Sequence, residues 1–443
     1  MSNRPHLGSI PGLGSLRSLG QYLGRNALQR RDQLYQRYQN SRRNSLESAG
    51  TTQQNDGGSL RQGVKRGQPK EAKERLLPLE SASVEQFKHV LEQDVVPIDR
   101  LRELARRGVP EEAGLRSTVW KLLLGYLPAD RTKWSVELST KRADYAQFCE
   151  ELLIKPSKLE QDQKTNSSEV GEEEGEGGYR DGQLTREDVA EHHPLTLDSN
   201  NVWHLFHQDN ELMEQIDRDV QRTHPDHPFF NGEHEETLKH REELKRALLI
   251  FAKLNPGLRY VQGMNELLAP LYYLFRTDPD PLMAAHAEAD AFFCFVEIMS
   301  DFRDTFCKQL DSTGSGIKAI IDRLDALLKL HSRPLWEHLT LTAKVHPQFY
   351  SFRWITLLLT QEYEFEQVPH VWDFIFSAPD NARLDMVLFV CLAMLVQIRE
   401  DLLAGDFTSN LKMLQRYPAT GDLPLILSRA LALNVTHIMT GGA

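Results

Sequence analysis

The chain has 443 residues, of which 40% are hydrophobic and 26% are charged, a balance that is ordinary for a soluble globular protein. Its formal net charge of -11 argues against a nucleic-acid-binding protein. The longest apolar run, Met386 to Val396, is shorter than the roughly 20 residues that cross a bilayer. The four cysteines form no CxxC pair, which argues against a disulfide framework or a zinc site and suits a reducing compartment.

Residues 1–78 are predicted to form a disordered basic arm. The first 75 residues hold 14 Lys or Arg against 5 Asp or Glu, a charge of +9, which leaves -20 for the remainder. Without sustained apolar periodicity this segment cannot bury enough surface to order itself. Its Arg- and Ser-rich, acid-poor composition also fits an organellar transit peptide, which is the second interpretation. A basic arm could further contact an anionic membrane surface peripherally.

A folded region is predicted over residues 79–443, interrupted by a disordered insertion at 155–188. Ser83 and Gln86 have the spacing of a capping box, which predicts that a helix begins there. The insertion is acidic, rich in glycine and almost free of large apolar residues, a composition typical of solvated chain. Its pairing with the basic arm is a hypothesis that rests on opposite charge alone.

The rest of the chain is dominated by apolar residues at intervals of three and four, the period of an amphipathic helix. Helices are predicted over 98–107, 134–154, 211–223, 236–254, 261–275, 284–307, 317–331, 349–363, 368–376, 384–403 and 423–433. No run of alternating strands and no fixed-period repeat is visible. The predicted fold class is therefore all-α, with many helices of medium length joined by short turns.

The common signatures of catalytic sites are missing from the sequence. There is no GxxxxGK[ST] phosphate loop, no GxSxG turn and no HExxH pair, so the chain is not predicted to hydrolyse nucleotides by itself. Histidines do cluster in "EHHP" and "THPDHP". Because proline-bounded loops supply no helical pair of ligands, surface loops are favoured there over a metal site.

Two short patterns place polar residues on helix faces. In "RSTVW", Arg116 and Trp120 are four residues apart, a spacing at which a guanidinium can lie against an indole. In "QIDRDVQR", Ile216, Asp219 and Arg222 follow at steps of three, so Ile216 can anchor the core while Asp219 pairs with Arg222. Taken alone, the first pattern favours a packing pair and the second a solvated salt bridge.

A third pattern, "RYVQGMNE", stands at the start of the predicted helix 261–275. Gln262 would lie in the first turn of that helix, where backbone N–H groups are free, and its amide can both donate and accept hydrogen bonds. Gly263 removes side-chain bulk and would let another chain approach closely. Taken alone, this pattern favours a helix start with local amide caps.

Taken together and in this order, the three patterns resemble the RxxxW, IxxDxxR and YxQ motifs of the TBC domain family, the GTPase-activating proteins of Rab-type small GTPases. The flanking sequences "RGVPEEAGLRSTVWKLLLGYLP" and "YVQGMNELLAPLYYLF" add to the resemblance. It extends over residues 82–435, apart from the acidic insertion.

The resemblance implies a role for each motif residue. Arg222 would be an arginine finger that enters the nucleotide site of the partner GTPase, and Gln262 would be a glutamine finger that orients the attacking water. Asp219 would hold Arg222 in position. The remaining motif residues would support the surrounding scaffold: Arg116, Trp120, Ile216 and Tyr260.

The resemblance also implies what the chain binds and where it acts. The partner would be a GTP-bound Rab-family GTPase, which carries the GTP and Mg²⁺, so the chain needs no cofactor or metal of its own. The chain would regulate vesicle trafficking in the cytoplasm, with peripheral contact to endomembranes as an option. It would be an activator that supplies residues to another protein's active site. Two alternatives stay open: a Rab-binding effector or scaffold without activating function, and an adaptor in which the motifs are only structural.

Overall fold

The computed structural model describes residues 82–112, 114–153, 202–306, 316–418 and 422–439. Within these ranges the helices are α1 (Val84–Leu91), α2 (Ile98–Ala105), α3 (Leu115–Leu123), α4 (Trp134–Leu152), α5 (Val202–Gln221), α6 (Glu235–Leu254), α7 (Met264–Arg276), α8 (Pro281–Ala284), α9 (Ala287–Asp301), α10 (Arg303–Phe306), α11 (Ile317–His331), α12 (Arg333–Glu337), α13 (Gln348–Thr356), α14 (Val368–Phe376), α15 (Arg383–Gln397), α16 (Arg399–Ala404), α17 (Phe407–Gln415) and α18 (Leu423–Met439).

The predicted all-α fold class is confirmed for the part of the chain that is described. Pairing of β type there is limited to one isolated bridge between Val95 and Asp130. None of the described helices combines the length and apolar character needed to cross a membrane. The predicted arm at 1–78 and the predicted insertion at 155–188 both lie outside the described residues, so they stay predictions.

Helix α7 lies against α5, α6 and α9 and forms part of the core. Its residues Leu267, Leu268 and Leu271 are fully buried, as the apolar tail of the third motif predicts. The capping box at the start of α1 is also confirmed, since Ser83 and Gln86 exchange side-chain-to-backbone hydrogen bonds. Local sequence patterns therefore predict both the core helix and one of the helix starts.

Several predicted helices are shorter or divided in the structure. The predicted helix 284–307 consists of the end of α8, then α9 and α10, and the predicted helix 384–403 is divided between α15 and α16 at Ile398. The predicted helix 349–363 is wrong beyond Thr356, because Leu358 and Leu359 adopt left-handed backbone conformations with φ of 46° and 65°. Both leucines are buried, so tertiary packing overrides their local helix propensity.

A buried carboxylate, Asp290 on α9, connects three helices. It accepts hydrogen bonds from Lys121 on α3 at 2.7 Å, from Arg142 on α4 at 2.8 Å and from Tyr126 at 2.7 Å. The positive partners keep the pKa of Asp290 below its usual value although burial opposes this. A charged Asp290 therefore fixes the relative positions of α3, α4 and α9.

A second buried carboxylate, Asp373 on α14, explains the first motif. Arg116 donates to it through Nε at 3.2 Å, and Trp120 donates through Nε1 at 2.7 Å. The backbone N–H of Val109 donates to it at 2.9 Å. Arg116 and Trp120 therefore lie on the same face of α3, as their spacing predicts. What joins them is the shared carboxylate, and Trp120 also packs against Trp372 on α14.

Substitution of Asp373 by alanine tests this connection. Asp373→Ala leaves Arg116, Trp120 and the Val109 N–H without their buried acceptor, so we expect the free energy of unfolding to fall by about 3–5 kcal/mol. Urea denaturation measures the change. The control is Asp385→Ala, which removes the half-exposed partner of Arg323 and should cost only about 0–1 kcal/mol. Equal losses for the two variants would contradict the structural role of Asp373.

Candidate functional site

Arg222 lies just beyond the end of α5 and faces solvent. Its side chain is 57% exposed, and its Nη2 donates to Asp219 Oδ1 at 2.7 Å. The ion pair predicted from the spacing of three is thus confirmed. Asp219 is buried, and Ile216 one turn earlier is fully buried, so the helix is anchored in the core directly before the arginine. The guanidinium is held by one buried carboxylate while most of its surface remains accessible.

The other oxygen of Asp219 receives a hydrogen bond from Tyr260. The Tyr260 hydroxyl donates to Asp219 Oδ2 at 2.6 Å, and both groups are buried. Burial and this bond raise the pKa of Tyr260 well above its usual value, so the phenol stays a donor. One carboxylate therefore binds the arginine and the segment that precedes Gln262.

Asn265 adds a second link between the same two segments. Its Nδ2 donates to Thr223 Oγ1 at 2.9 Å, and its Oδ1 accepts from the Gly263 N–H at 3.2 Å. Thr223 directly follows Arg222, and Gly263 directly follows Gln262. The residues beside the two candidate fingers are therefore joined by a single buried amide.

Gln262 is exposed and lies in the turn between Tyr260 and α7. The predicted position in the first turn of a helix is wrong, because α7 begins at Met264 and Gly263 is its N-cap with a left-handed φ of 105°. The left-handed backbone at Gly263 separates residues 261 and 262 from the helix, whose predicted span is 261–275. Gln262 is therefore presented by a turn whose backbone is fixed by Tyr260, Gly263 and Asn265.

The structure explains the need for glycine at position 263 differently from the prediction, which is that a partner chain approaches there. The glycine is buried, and a Cβ atom at this position would lie 2.6 Å from Cδ2 of Leu357. The space expected to admit a partner chain is occupied by the chain itself. Glycine is needed here because of the left-handed φ and the close approach of Leu357.

A buried acid, Glu266, lies in the first turn of α7 behind these residues. Its Oε1 accepts from Asn265 Nδ2 at 3.2 Å. Burial raises the pKa of Glu266 to about 7, although hydrogen bonds from Gln361 and Asn265 and the charge of Arg222 act in the opposite direction. A carboxyl group that titrates near neutral pH thus lies next to the network of Asp219.

Of the eight predicted site residues, the structure brings five together around Asp219, Gly263 among them through its N–H bond to Asn265, and leaves two elsewhere, while Ile216 anchors α5 in the core. Arg222, Asp219 and Tyr260 are directly bonded, with Gln262 in the adjoining turn, whereas Arg116 and Trp120 belong to the cluster around Asp373. Sequence reasoning missed the following residues of the two clusters: Thr223, Asn265, Glu266 and Asp373. Asn265 and Glu266 stand beside Gly263 in the third motif, a signal that could have been used. Nothing in the sequence marks Thr223 or Asp373 as partners.

Comparison with protein families matches residues 113–403 to the Rab-GTPase-TBC domain. The chain belongs to the TBC domain family. The matched range contains all three motifs, and the resemblance inferred from them is confirmed.

Individual relatives agree with this assignment. Human TBC1 domain family member 13 is 37% identical over 413 residues, which cover 80% of this chain and 98% of the relative. The sequences around the motifs also resemble this relative. The GTPase-activating protein gyp1 of Schizosaccharomyces pombe is 26% identical and covers 78% of this chain and 60% of its own. Among solved structures, the Ypt/Rab-GAP domain of Gyp1p matches with a TM-score of 0.60 at 22% identity, covering 80% of this chain and 98% of that domain, which shows the shared TBC fold.

Replacement of Gly263 by alanine should destabilise the TBC domain. The new methyl group would contact Leu357 and the backbone would be strained, so we expect a loss of about 1–3 kcal/mol in the free energy of unfolding. Urea denaturation measures it. Gly257→Ala is the control, since a Cβ there meets nothing within 4 Å. The explanation fails if Gly263→Ala is as stable as the control.

The pKa of Glu266 predicts how stability depends on pH. Because folding raises this pKa from 4.5 to about 7, the folded state holds the proton more tightly, and the associated stability is lost as pH rises from 4.5 through 7. Glu266→Gln lacks this titration. We expect the stability of Glu266→Gln relative to the parent to increase over that pH range and to level off above it, measured by urea denaturation at each pH. A constant difference would contradict the raised pKa.

Proposed function

We propose that this TBC domain stimulates GTP hydrolysis by a Rab-type small GTPase and that it supplies Arg222 and Gln262 to the partner's nucleotide site. The observation that carries the proposal is that two exposed polar side chains, remote in sequence, are presented by segments that one buried network joins. Such a network keeps the two side chains in a fixed relation without burying either of them.

The chemistry of phosphoryl transfer favours an arginine in this position. The reaction leaves little covalent work to the protein, so catalysis depends on positioning and on stabilisation of charge. A guanidinium is always protonated and has five N–H donors in a planar fork. The bond to Asp219 uses one of these donors. Other donors of Arg222 are thus available for the oxygens of the transferred phosphoryl group.

A glutamine suits the second position because its amide carries an acceptor and two donors. The acceptor can bind the attacking water while a donor binds a phosphate oxygen. The exposed turn and the buried Gly263 and Asn265 beside it would hold the Gln262 amide in place. Asp219 and Tyr260 are assigned a positioning role, because they are buried and act through Arg222 and the turn.

The partner would bring its own GTP and Mg²⁺, so the proposed mechanism assigns no cofactor to the TBC domain. Support comes from the family match and from the relative described as a GTPase-activating protein. The process that this activity would regulate is vesicle trafficking, at the cytoplasmic face of endomembranes.

Single-turnover GTP hydrolysis with a panel of Rab GTPases tests the proposal. We expect Arg222→Ala to lose a factor on the order of 10³–10⁵ of the stimulation, the usual contribution of an arginine finger. Arg222→Lys should stay strongly impaired because it lacks the planar fork. Gln262→Ala should lose a factor on the order of 10², as when one donor to a transition state is removed.

Two surface substitutions serve as controls: Arg218→Ala, an exposed arginine one turn earlier on α5, and Gln93→Ala, an exposed glutamine. Both should keep the parent's stimulation, and all variants should keep the parent's circular dichroism. Equal rates for Arg222→Ala, Gln262→Ala and the parent would reject the finger assignment. Binding of GTP-bound Rab by the parent without any stimulation would instead favour an effector or scaffold.

A further inference from the structure

His224 lies two residues after Arg222, and its side chain packs against the protein interior. Its backbone has a left-handed φ of 42°, which is uncommon for a residue with a side chain. Its ring lies 4.5 Å from the ring of Phe365 and 5.6 Å from that of Phe230, centroid to centroid. The surface-loop interpretation of "THPDHP" is therefore wrong for His224, since its ring packs against buried aromatic residues. His224 thus adds a packed residue directly after Thr223, which Asn265 already holds.

The Nε2 atom of His224 is enclosed and has no hydrogen-bond partner among the described residues. It faces Oε2 of Glu266 at 3.5 Å. A buried polar atom without a partner is unfavourable and therefore requires an explanation. A shift of less than about 1 Å would bring the two atoms within hydrogen-bond distance.

The carboxyl group of Glu266 lies where three segments meet. Asn265 donates to its Oε1, its Oε2 faces His224, and the side chain of Gln361 is close enough to lower its pKa. His224 belongs to the segment of Arg222, and Glu266 lies four residues after Gln262. This contact therefore joins the two finger segments independently of Asp219 and Tyr260.

We propose that His224 and Glu266 form a buried positioning pair that fixes the segment of Arg222 against the segment of Gln262. The proposal rests on the proposed function for its kinetic consequence. In the pair, a protonated Glu266 carboxyl donates its O–H to Nε2 of a neutral His224, so that no net charge is buried. The proton on His224 is then at Nδ1.

The charges around the pair favour this neutral state. Burial lowers the pKa of His224 to about 4, with a further contribution from His227 that Glu366 opposes. Burial raises the pKa of Glu266 to about 7, and Asp219 adds to this while Arg222 opposes it. Tyr260, which also faces this region, stays an uncharged phenol. Above neutral pH the ionised Glu266 would lose the O–H that donates to His224.

Substitutions that keep or remove the hydrogen bond test the pair. In Glu266→Gln the amide can still donate to Nε2 and accept from Asn265, so we expect the parent's maximal stimulated rate at pH 6.5. Glu266→Ala and His224→Phe remove the contact, and the second keeps an aromatic ring. Each should lower kcat by about tenfold or more, because small displacements of catalytic groups are costly, while the half-saturating concentration of the chain stays within about twofold. The matched controls are His89→Phe and Glu92→Gln, exposed residues away from the pair, which should behave as the parent does.

The pH profile separates positioning from a general structural role. The ratio of kcat for Glu266→Gln to that of the parent should rise as pH increases from 6 to 8, since only the parent loses the proton. A flat ratio, a parent-like kcat for Glu266→Ala, or a change confined to half-saturation would overturn the proposal. If the parent stimulates no GTPase, the proposed function is contradicted, and this outcome is distinct from the three that overturn the positioning pair.

Amide hydrogen exchange tests the pair without any GTPase. We expect faster exchange in residues 222–230 and 260–266 for Glu266→Ala than for the parent, and parent-like exchange for Glu266→Gln. Exchange that is unchanged in Glu266→Ala, or faster to the same extent in Glu266→Gln, would overturn the proposal.

Discussion

The candidate site depends on the two hydrogen bonds that the carboxylate of Asp219 accepts. One of its oxygens binds the exposed Arg222, and the other binds the buried hydroxyl of Tyr260. The bond between Asp219 and Tyr260 is buried, so water competes little with it and it is stronger than it would be at the surface. The bond to Arg222 is only partly buried, which leaves the guanidinium accessible. A single residue thereby couples the end of α5 to the turn that carries Gln262. Asn265 repeats this link through the neighbouring residues Thr223 and Gly263.

The rest of the fold provides a rigid support for these two segments. α7 begins directly after Gln262 and continues into the core, where it packs against α5, α6 and α9. Leu357, just beyond α13, occupies the space beside Gly263 and prevents the turn from moving inward. Asp290 and Asp373 connect further helices by buried charged hydrogen bonds. The exposed ends of Arg222 and Gln262 are therefore the accessible parts of an otherwise packed region.

Local patterns in the sequence predict the parts of this arrangement that depend on neighbours in the chain. The periodicity predicts α11 and α14 with the same bounds as in the structure, and the spacing of three predicts the pair of Asp219 and Arg222. Contacts between distant segments leave no such pattern. Asp373 lies more than 250 residues from Arg116, so the sequence shows that Arg116 and Trp120 share a face but not what they bind. For the same reason the sequence does not show that Leu357 leaves no room for a side chain at position 263.

The central claim is that Arg222 and Gln262 converge on the terminal phosphate of a bound GTPase. The most direct measurement is a crystal structure of this TBC domain with a Rab GTPase that carries GDP, Mg²⁺ and aluminium fluoride in place of the transferred phosphoryl group. The account predicts that the Arg222 guanidinium donates to the fluoride group and that the Gln262 amide binds the attacking water, both at about 2.7–3.2 Å. A complex in which either side chain points away from the nucleotide would contradict it.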